Sequence, residues 1–160
     1  MKFFTRQWWF IESVELDFDN ESFFQSYEQH VHKLSNNGVP ILPELFNPCR
    51  LHDHVITRYA HEKQSLIFVL RDPEHWKPYL LKFNSPVMVR CTNQSNGDEH
   101  TSFDLSELIG AGIGYCEFDV SNKGGYRFSM IFDCDFSIDI ELESEIVFHA
   151  ISSDLAADHE

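Results

Sequence analysis

Apolar side chains between residues 20 and 36 recur at the spacing of an α-helix, in steps of four, four and three residues. Polar side chains lie between them, and either Asp19 or Asn20 is a suitable N-cap. The run ends at Asn36-Asn37-Gly38, a typical helix C-terminus. The pattern predicts one amphipathic helix. The recurring residues are Phe23, Tyr27, Val31 and Leu34.

After residue 50 the period shortens to two, which is typical of β-strands. Predicted strands cover residues 53–60, 65–71, 79–83, 87–91, 113–120, 126–134 and 146–151. The third and fourth runs are either two strands or one strand bent at Pro86. We therefore predict an α+β domain over residues 1–151, with the N-terminal helix packed on a largely antiparallel sheet of about six strands. Residues 152–160 form a polar C-terminal tail.

Composition limits the classes of partner. The 160 residues are 42% hydrophobic and include 15 Phe, which is enough apolar volume for a packed core. Acidic residues outnumber basic ones by 26 to 12, and the formal net charge is −14. Such a surface repels phosphate backbones and anionic lipids, so nucleic-acid and membrane binding are disfavoured and a basic protein partner is favoured. The alternative is that the acidity only maintains solubility.

The cysteines and the first residues indicate a compartment. Cys49, Cys91, Cys116 and Cys134 include no Cys-x-x-Cys spacing, and three of them lie in apolar, strand-like runs. The first fifteen residues lack the small-residue cleavage site of a secretory signal. We expect a cytoplasmic protein with reduced thiols.

Carboxylates occupy alternate positions in the last third of the chain. Their even-numbered neighbours are apolar, so an extended chain would place the apolar side chains in the core and the acids on the outer face. Two further acids, Glu117 and Asp119, lie on a neighbouring hairpin arm and could pair beside this row. The pattern predicts a docking face for a basic protein, although a merely solvated sheet face would show the same alternation. The row comprises Asp133, Asp135, Asp139, Glu141, Glu143 and Glu145.

Other chemistry receives weaker support. His52 and His54 would share one face of a strand, as two metal ligands do, but no third ligand is identifiable, and we expect neither metal nor cofactor. A metal-dependent enzyme built on this pair remains an alternative. A third hypothesis is a small-ligand binder with an aromatic pocket. Its candidate residues are Trp8, Trp9, Tyr79 and Phe83.

Several short matches resemble a known group of proteins. They are Met1-Lys2-Phe3-Phe4-Thr5, Leu51-His52-Asp53 before Val55-Ile56, the alternation Leu66-x-Phe68-x-Leu70, and Gly124-Gly125-Tyr126. This order resembles a family of small, uncharacterised bacterial proteins, with similarity to domains found among toxin-immunity proteins. The resemblance implies a bacterial source, an immunity-like binding role, and a structural role for Asp53 at the entry to a strand.

Taken together, the sequence favours a non-enzymatic protein-binding module that presents its acidic strand face to a basic partner, in the way that immunity proteins meet cationic toxins.

Overall fold

The computed structural model describes residues 3–4, 20–62, 64–93, 99–100, 104–121 and 125–152. Within these ranges lie one α-helix, two short 3-10 helices and nine strands, which confirms the α+β class. The helices are α1 (Asn20–Asn36) and the 3-10 helices Pro43–Leu45 and Leu105–Leu108. The strands are β1 (Val55–Glu62), β2 (Ser65–Arg71), β3 (Pro78–Asn84), β4 (Met88–Asn93), β5 (Glu99–His100), β6 (Ile113–Val120), β7 (Tyr126–Phe132), β8 (Phe136–Leu142) and β9 (Ile146–Ala150).

The strands form two antiparallel sheets, which corrects the prediction of one sheet with about six strands. Sheet A has the order β1-β2-β3-β9 and sheet B the order β5-β4-β8-β7-β6. β3 and β4 do not pair with each other, because the chain bends at Ser85, whose φ is +45°, and passes from one sheet into the other. β8 and β9 make the same passage alongside them. The β3–β4 and β8–β9 connections therefore run side by side and form a corner that links the two sheets.

A second link joins the opposite edges of the sheets. Val55 of β1 forms an antiparallel bridge with Gly112, just before β6. The Ile56 amide donates to the Ala111 carbonyl oxygen at 3.1 Å, and the Asp53 amide donates to the Ile113 carbonyl oxygen at 2.8 Å. The core lies between the sheets and consists mainly of aromatic and branched aliphatic side chains.

The acidic row does not lie on one strand. The chain reverses at residues 133–135, where Asp135 has a φ of +64°, and β7 then pairs with β8. Ile138, Ile140 and Leu142 are buried as predicted, whereas Phe136 is only half-buried.

Helix α1 packs beside β6, one of the two edge strands of sheet B. The helix ends in a Schellman motif, in which the Val39 amide donates to the Leu34 carbonyl oxygen at 3.1 Å and Gly38 adopts a φ of +84°. The Phe118 amide of β6 donates to the Tyr27 hydroxyl at 3.0 Å, and the Cys116 amide donates to the Pro48 carbonyl oxygen at 3.3 Å. The helix and the following loop therefore provide hydrogen-bond acceptors for two backbone amides on the open edge of β6. Asp19, one of the two predicted caps, and the predicted tail beyond Ser152 lie outside the described residues.

Candidate functional site

A groove of about 730 Å³ lies between α1 and residues 43–49. Tyr27 and Pro48, the two residues that hold the edge of β6, also line this groove. The groove therefore lies next to β6, at the edge of sheet B to which Tyr27 and Pro48 are hydrogen-bonded. A cleft of this volume falls within the range of ordinary small-ligand sites, about 300–1,000 Å³.

One wall of the groove is the side of α1 that the helical pattern marks as polar. Glu21, Phe24, Gln25 and Glu28 line it, and their spacing of three and four residues places them on one face. Glu21 and Glu28 are exposed, while Phe24 is partly buried and contacts the Phe4 ring at a centroid distance of 5.8 Å. An aromatic side chain on a carboxylate-bearing helix face is the feature that sequence reasoning missed. Its signal was a Phe among the polar positions of α1.

The opposite wall is a proline-rich loop. Pro43, Phe46, Asn47, Pro48 and Cys49 line it. The Asn47 side-chain oxygen accepts a hydrogen bond from the Cys49 amide at 2.8 Å, and the Phe46 amide donates to the Pro43 carbonyl oxygen at 3.2 Å. These local bonds, together with two fixed proline φ angles, give this wall a defined shape. No lysine or arginine is among the described residues that line the groove.

The two acids of β6 do not belong to an exposed face, which corrects the prediction for Glu117 and Asp119. Glu117 is fully buried, and its Oε2 accepts hydrogen bonds from the Phe3 and Phe4 amides at 2.9 and 3.0 Å. Asp119 is 15% exposed and lies 3.1 Å from the Arg127 guanidinium. Both carboxylates therefore hold parts of this chain together.

The acids of β8 lie opposite polar and basic residues of the two neighbouring strands. The register of sheet B places Asp139 between Arg90 of β4 and Ser129 of β7, whose hydroxyl donates to the Asp139 carboxylate. Glu141 lies opposite Arg127. Asp139 and Glu141 are each half-buried, whereas the alternating pattern predicted exposed carboxylates at both positions. β4 and β7 each place an arginine beside these acids, so this face carries both signs of charge.

The remaining acids of the row lie at its two ends. Asp133 is exposed, and its Oδ1 accepts the Gly112 amide at 3.0 Å, so it fastens the β7–β8 turn to the segment before β6. Asp135 is half-buried in that turn. Glu143 and Glu145 are exposed at the far end of β8. The structure thus divides the predicted docking face into separate parts.

His52 and His54 lie in the turn before β1 rather than on a strand, so they do not share a face as predicted. His52 Nδ1 is 3.0 Å from the Asp53 carboxylate, and its ring contacts Tyr115. His54 is 4% exposed and contacts Tyr79 instead. Among the described residues, no three His, Cys, Asp or Glu side chains are grouped as metal ligands. The Asp53 side chain is largely exposed, and its backbone amide makes the bond to the strand-entry region.

The predicted aromatic pocket does not form from the residues that can be placed. Trp8 and Trp9 lie outside the described residues. Phe83 is fully buried in the core, and Tyr79 stacks on Phe148 at 5.3 Å with an interplanar angle of 14°. A cation also contacts this stack. The Arg50 guanidinium lies over both rings, an arrangement that the sequence pattern did not indicate.

The four cysteines are free thiols. Burial raises the pKa of Cys91 to about 12 and also raises the pKa of Cys116. These two thiols therefore remain protonated and behave as small apolar side chains.

The comparisons with known proteins returned no match, either to a protein-family model or to a curated protein. Among the described residues, no helix is long and apolar enough to cross a bilayer.

Proposed function

We propose that the chain is a non-enzymatic protein-binding module that takes a basic segment of a partner protein into the groove between α1 and residues 43–49. The observation that supports this proposal is the composition of the groove walls. Phe24 and Phe46 offer apolar and aromatic surface, and Glu21 and Glu28 carry negative charge beside it.

These walls define the chemistry of the segment. An apolar or aromatic side chain would pack against Phe24 and Phe46, which would supply most of the affinity because buried aromatic anchors dominate binding energies. Lysine or arginine on either side would meet Glu21 and Glu28. Exposed ion pairs of this kind contribute about 0.2–1 kcal/mol each, so they add more to the specificity of binding than to its affinity.

The charge of the whole chain supports the same class of partner. With a net charge of −14, the molecule attracts cations from beyond contact distance. An immunity-like role, in which the partner is a cationic toxin, is one form of this proposal. In every form, association slows as salt is added, because the Debye length falls from about 10 Å at 0.1 M to about 3 Å at 1 M.

A peptide selection tests the proposal with a defined probe. Random twelve-residue peptides displayed on phage are selected against the full chain, and the recovered peptides are synthesised and measured by fluorescence anisotropy. We expect recovered peptides to combine positive charge with an aromatic residue. The double variant Glu21→Gln, Glu28→Gln should bind them about two- to thirtyfold more weakly, the loss of two exposed ion pairs.

The matched control is Glu62→Gln with Glu74→Gln, two exposed acids that do not line the groove. It removes the same total charge, so long-range attraction falls equally in both variants. The control should retain most of the wild-type affinity. Equal losses in the two variants would show that binding is unspecific attraction to an acidic protein, and an absence of cationic peptides would refute the proposed partner class.

A further inference from the structure

A cation–aromatic cluster lies on sheet A, outside the groove. Tyr79 of β3 and Phe148 of β9 stack from neighbouring strands, and the Arg50 guanidinium carbon is 5.5 and 5.6 Å from their ring centroids. Stacking restricts the long arginine side chain, so the donors of the guanidinium are held in place before any ligand arrives.

Arg50 has no carboxylate partner among the described residues, although the chain contains 26 acidic residues and only 12 basic ones. Two acids nearby are already engaged. Asp53 lies 3.0 Å from His52 Nδ1, and Asp72 accepts the amides of Glu74 and His75 at 2.8 and 3.2 Å. Arg50 is partly buried, so its charge has lost part of its hydration without gaining an anion from the part of the chain that the structure describes.

His54 provides a second, independent observation beside the same ring. It is 96% buried, since its exposure is 4%, and its centroid is 5.5 Å from that of Tyr79. Its Nδ1 is 3.3 Å from the His52 carbonyl oxygen, which can only accept, so Nδ1 carries the proton. Nε2 is then a lone pair, and it is buried without a hydrogen-bond partner among the described residues. A buried polar atom of this kind is unusual in a folded protein.

We infer that Arg50 and His54, positioned by the Tyr79–Phe148 stack, form a binding site for an anionic oxygen group, either a carboxylate or a phosphate. The guanidinium offers two parallel donors to such a group. Protonation of Nε2 would turn the unpartnered atom into a third donor, so binding takes up a proton. The charged groups that act on His54 are Arg50, which opposes its protonation, and Asp53 and Asp72, which favour it. This site is independent of the groove and of the basic partner proposed for it.

The test is an NMR titration of the full chain with sodium acetate and, separately, sodium phosphate, with chloride used to hold ionic strength constant. The readouts are the Arg50 Nε–Hε signal and the His54 imidazole signals. We expect saturating shifts at both residues. Arg50→Gln should weaken binding at least about tenfold, because hydrogen bonds to charged groups contribute about 1.5–3 kcal/mol. Acetate, which stays ionised throughout, should bind more tightly at pH 6 than at pH 8.

Arg71→Gln is the matched control, since Arg71 also lies over an aromatic ring, that of Trp76, at 5.4 Å, but is exposed. This variant should bind as the wild type does, and the amide spectra of both variants report whether the fold is intact. Saturation by acetate alone assigns a carboxylate ligand, and saturation by phosphate alone assigns a phosphate. Linear shifts that match those in chloride, or equal losses in the two variants, would overturn the inference and leave Arg50 with a packing role.

Discussion

Glu117 shows how much one side chain can change the interpretation of a pattern. Its position in an alternating strand is that of a solvent-facing acid, yet it is fully buried and holds two backbone amides. A buried carboxylate is stable only where donors replace its lost hydration. In β6 the donors come from Phe3 and Phe4, more than a hundred residues away, so local sequence carries no sign of them.

Replacing this carboxylate should destabilise the fold. Glu117→Gln removes the charge and weakens both amide bonds, and we expect the free energy of unfolding to fall by about 1–3 kcal/mol. Urea denaturation measures this loss. Glu143→Gln, at an exposed position, should change the same quantity by less than about 0.5 kcal/mol. Equal stability of the two variants would contradict a structural role for the Glu117 carboxylate.

His54 should make stability depend on pH. Burial, together with the nearby Arg50 charge, lowers the pKa of His54 below its ordinary value. The unfolded chain then binds a proton at a higher pH than the folded chain does. The stability associated with neutral His54 is therefore present above the unfolded pKa of about 6.5 and is lost as the pH falls through the folded pKa.

The comparison is between the wild type and His54→Phe, unfolded by urea at pH 7.5 and at pH 5.5. Phe cannot titrate and preserves a ring against Tyr79. We expect the wild type to lose more stability between these two pH values than the variant does. The other eight histidines are common to both proteins, so their contributions cancel. Parallel losses would mean that His54 titrates alike in the folded and unfolded states.

At the scale of elements, the corner where β3 and β8 leave one sheet for the other is held by side chains. The Ser144 hydroxyl donates to the Asn84 carbonyl oxygen, and the Tyr126 hydroxyl donates to the Ser144 carbonyl oxygen. The Asn84 side-chain Nδ2 donates to the Glu145 carbonyl oxygen at 3.4 Å. The two crossing strands are thus fastened to each other and to β7 at the bend.

Tyr126→Phe isolates one of these bonds, because it removes only the hydroxyl of a side chain that is 1% exposed. The Ser144 carbonyl oxygen then loses its donor, and the free energy of unfolding should fall by about 0.5–1.5 kcal/mol. The control is Tyr59→Phe, whose hydroxyl donates to Asp104 at 3.4 Å on the surface. A stability change no larger than that of the control, measured by thermal or urea unfolding, would show that packing alone holds the corner.

Element boundaries were largely predictable, while strand reversals were not. Ser65–Arg71 and Ile113–Val120 coincide with the predicted strands, because polar turns and glycines mark their ends. The turn at residues 133–135 was missed for a geometric reason. It contains an odd number of residues, so paired positions such as Met130 and Ile138 have the same parity, and one uninterrupted strand would show the same alternation.

At the scale of the whole molecule, the hydrophobic periodicity predicted the α+β class and the composition predicted the acidic character, but neither indicated where the charge lies. The arginines of sheet B lie opposite the acids of β6 and β8, and only the pairing of strands brings them together. The groove has the same origin, since its walls come from a helix face and from a loop whose approach depends on the edge of β6. Contacts between distant segments therefore account for most of what the sequence did not indicate.

The bond between Glu117 and the Phe3–Phe4 segment also has a consequence for synthesis on the ribosome. The two aromatic residues are made 113 and 114 positions before the carboxylate that receives their amides. At translation rates of about 5–20 residues per second, roughly 6–23 seconds pass before Glu117 is made. During that interval Phe3 and Phe4 have no completed β6 to dock against, so the nascent chain carries an uncovered aromatic segment, which is the kind of segment that chaperones bind.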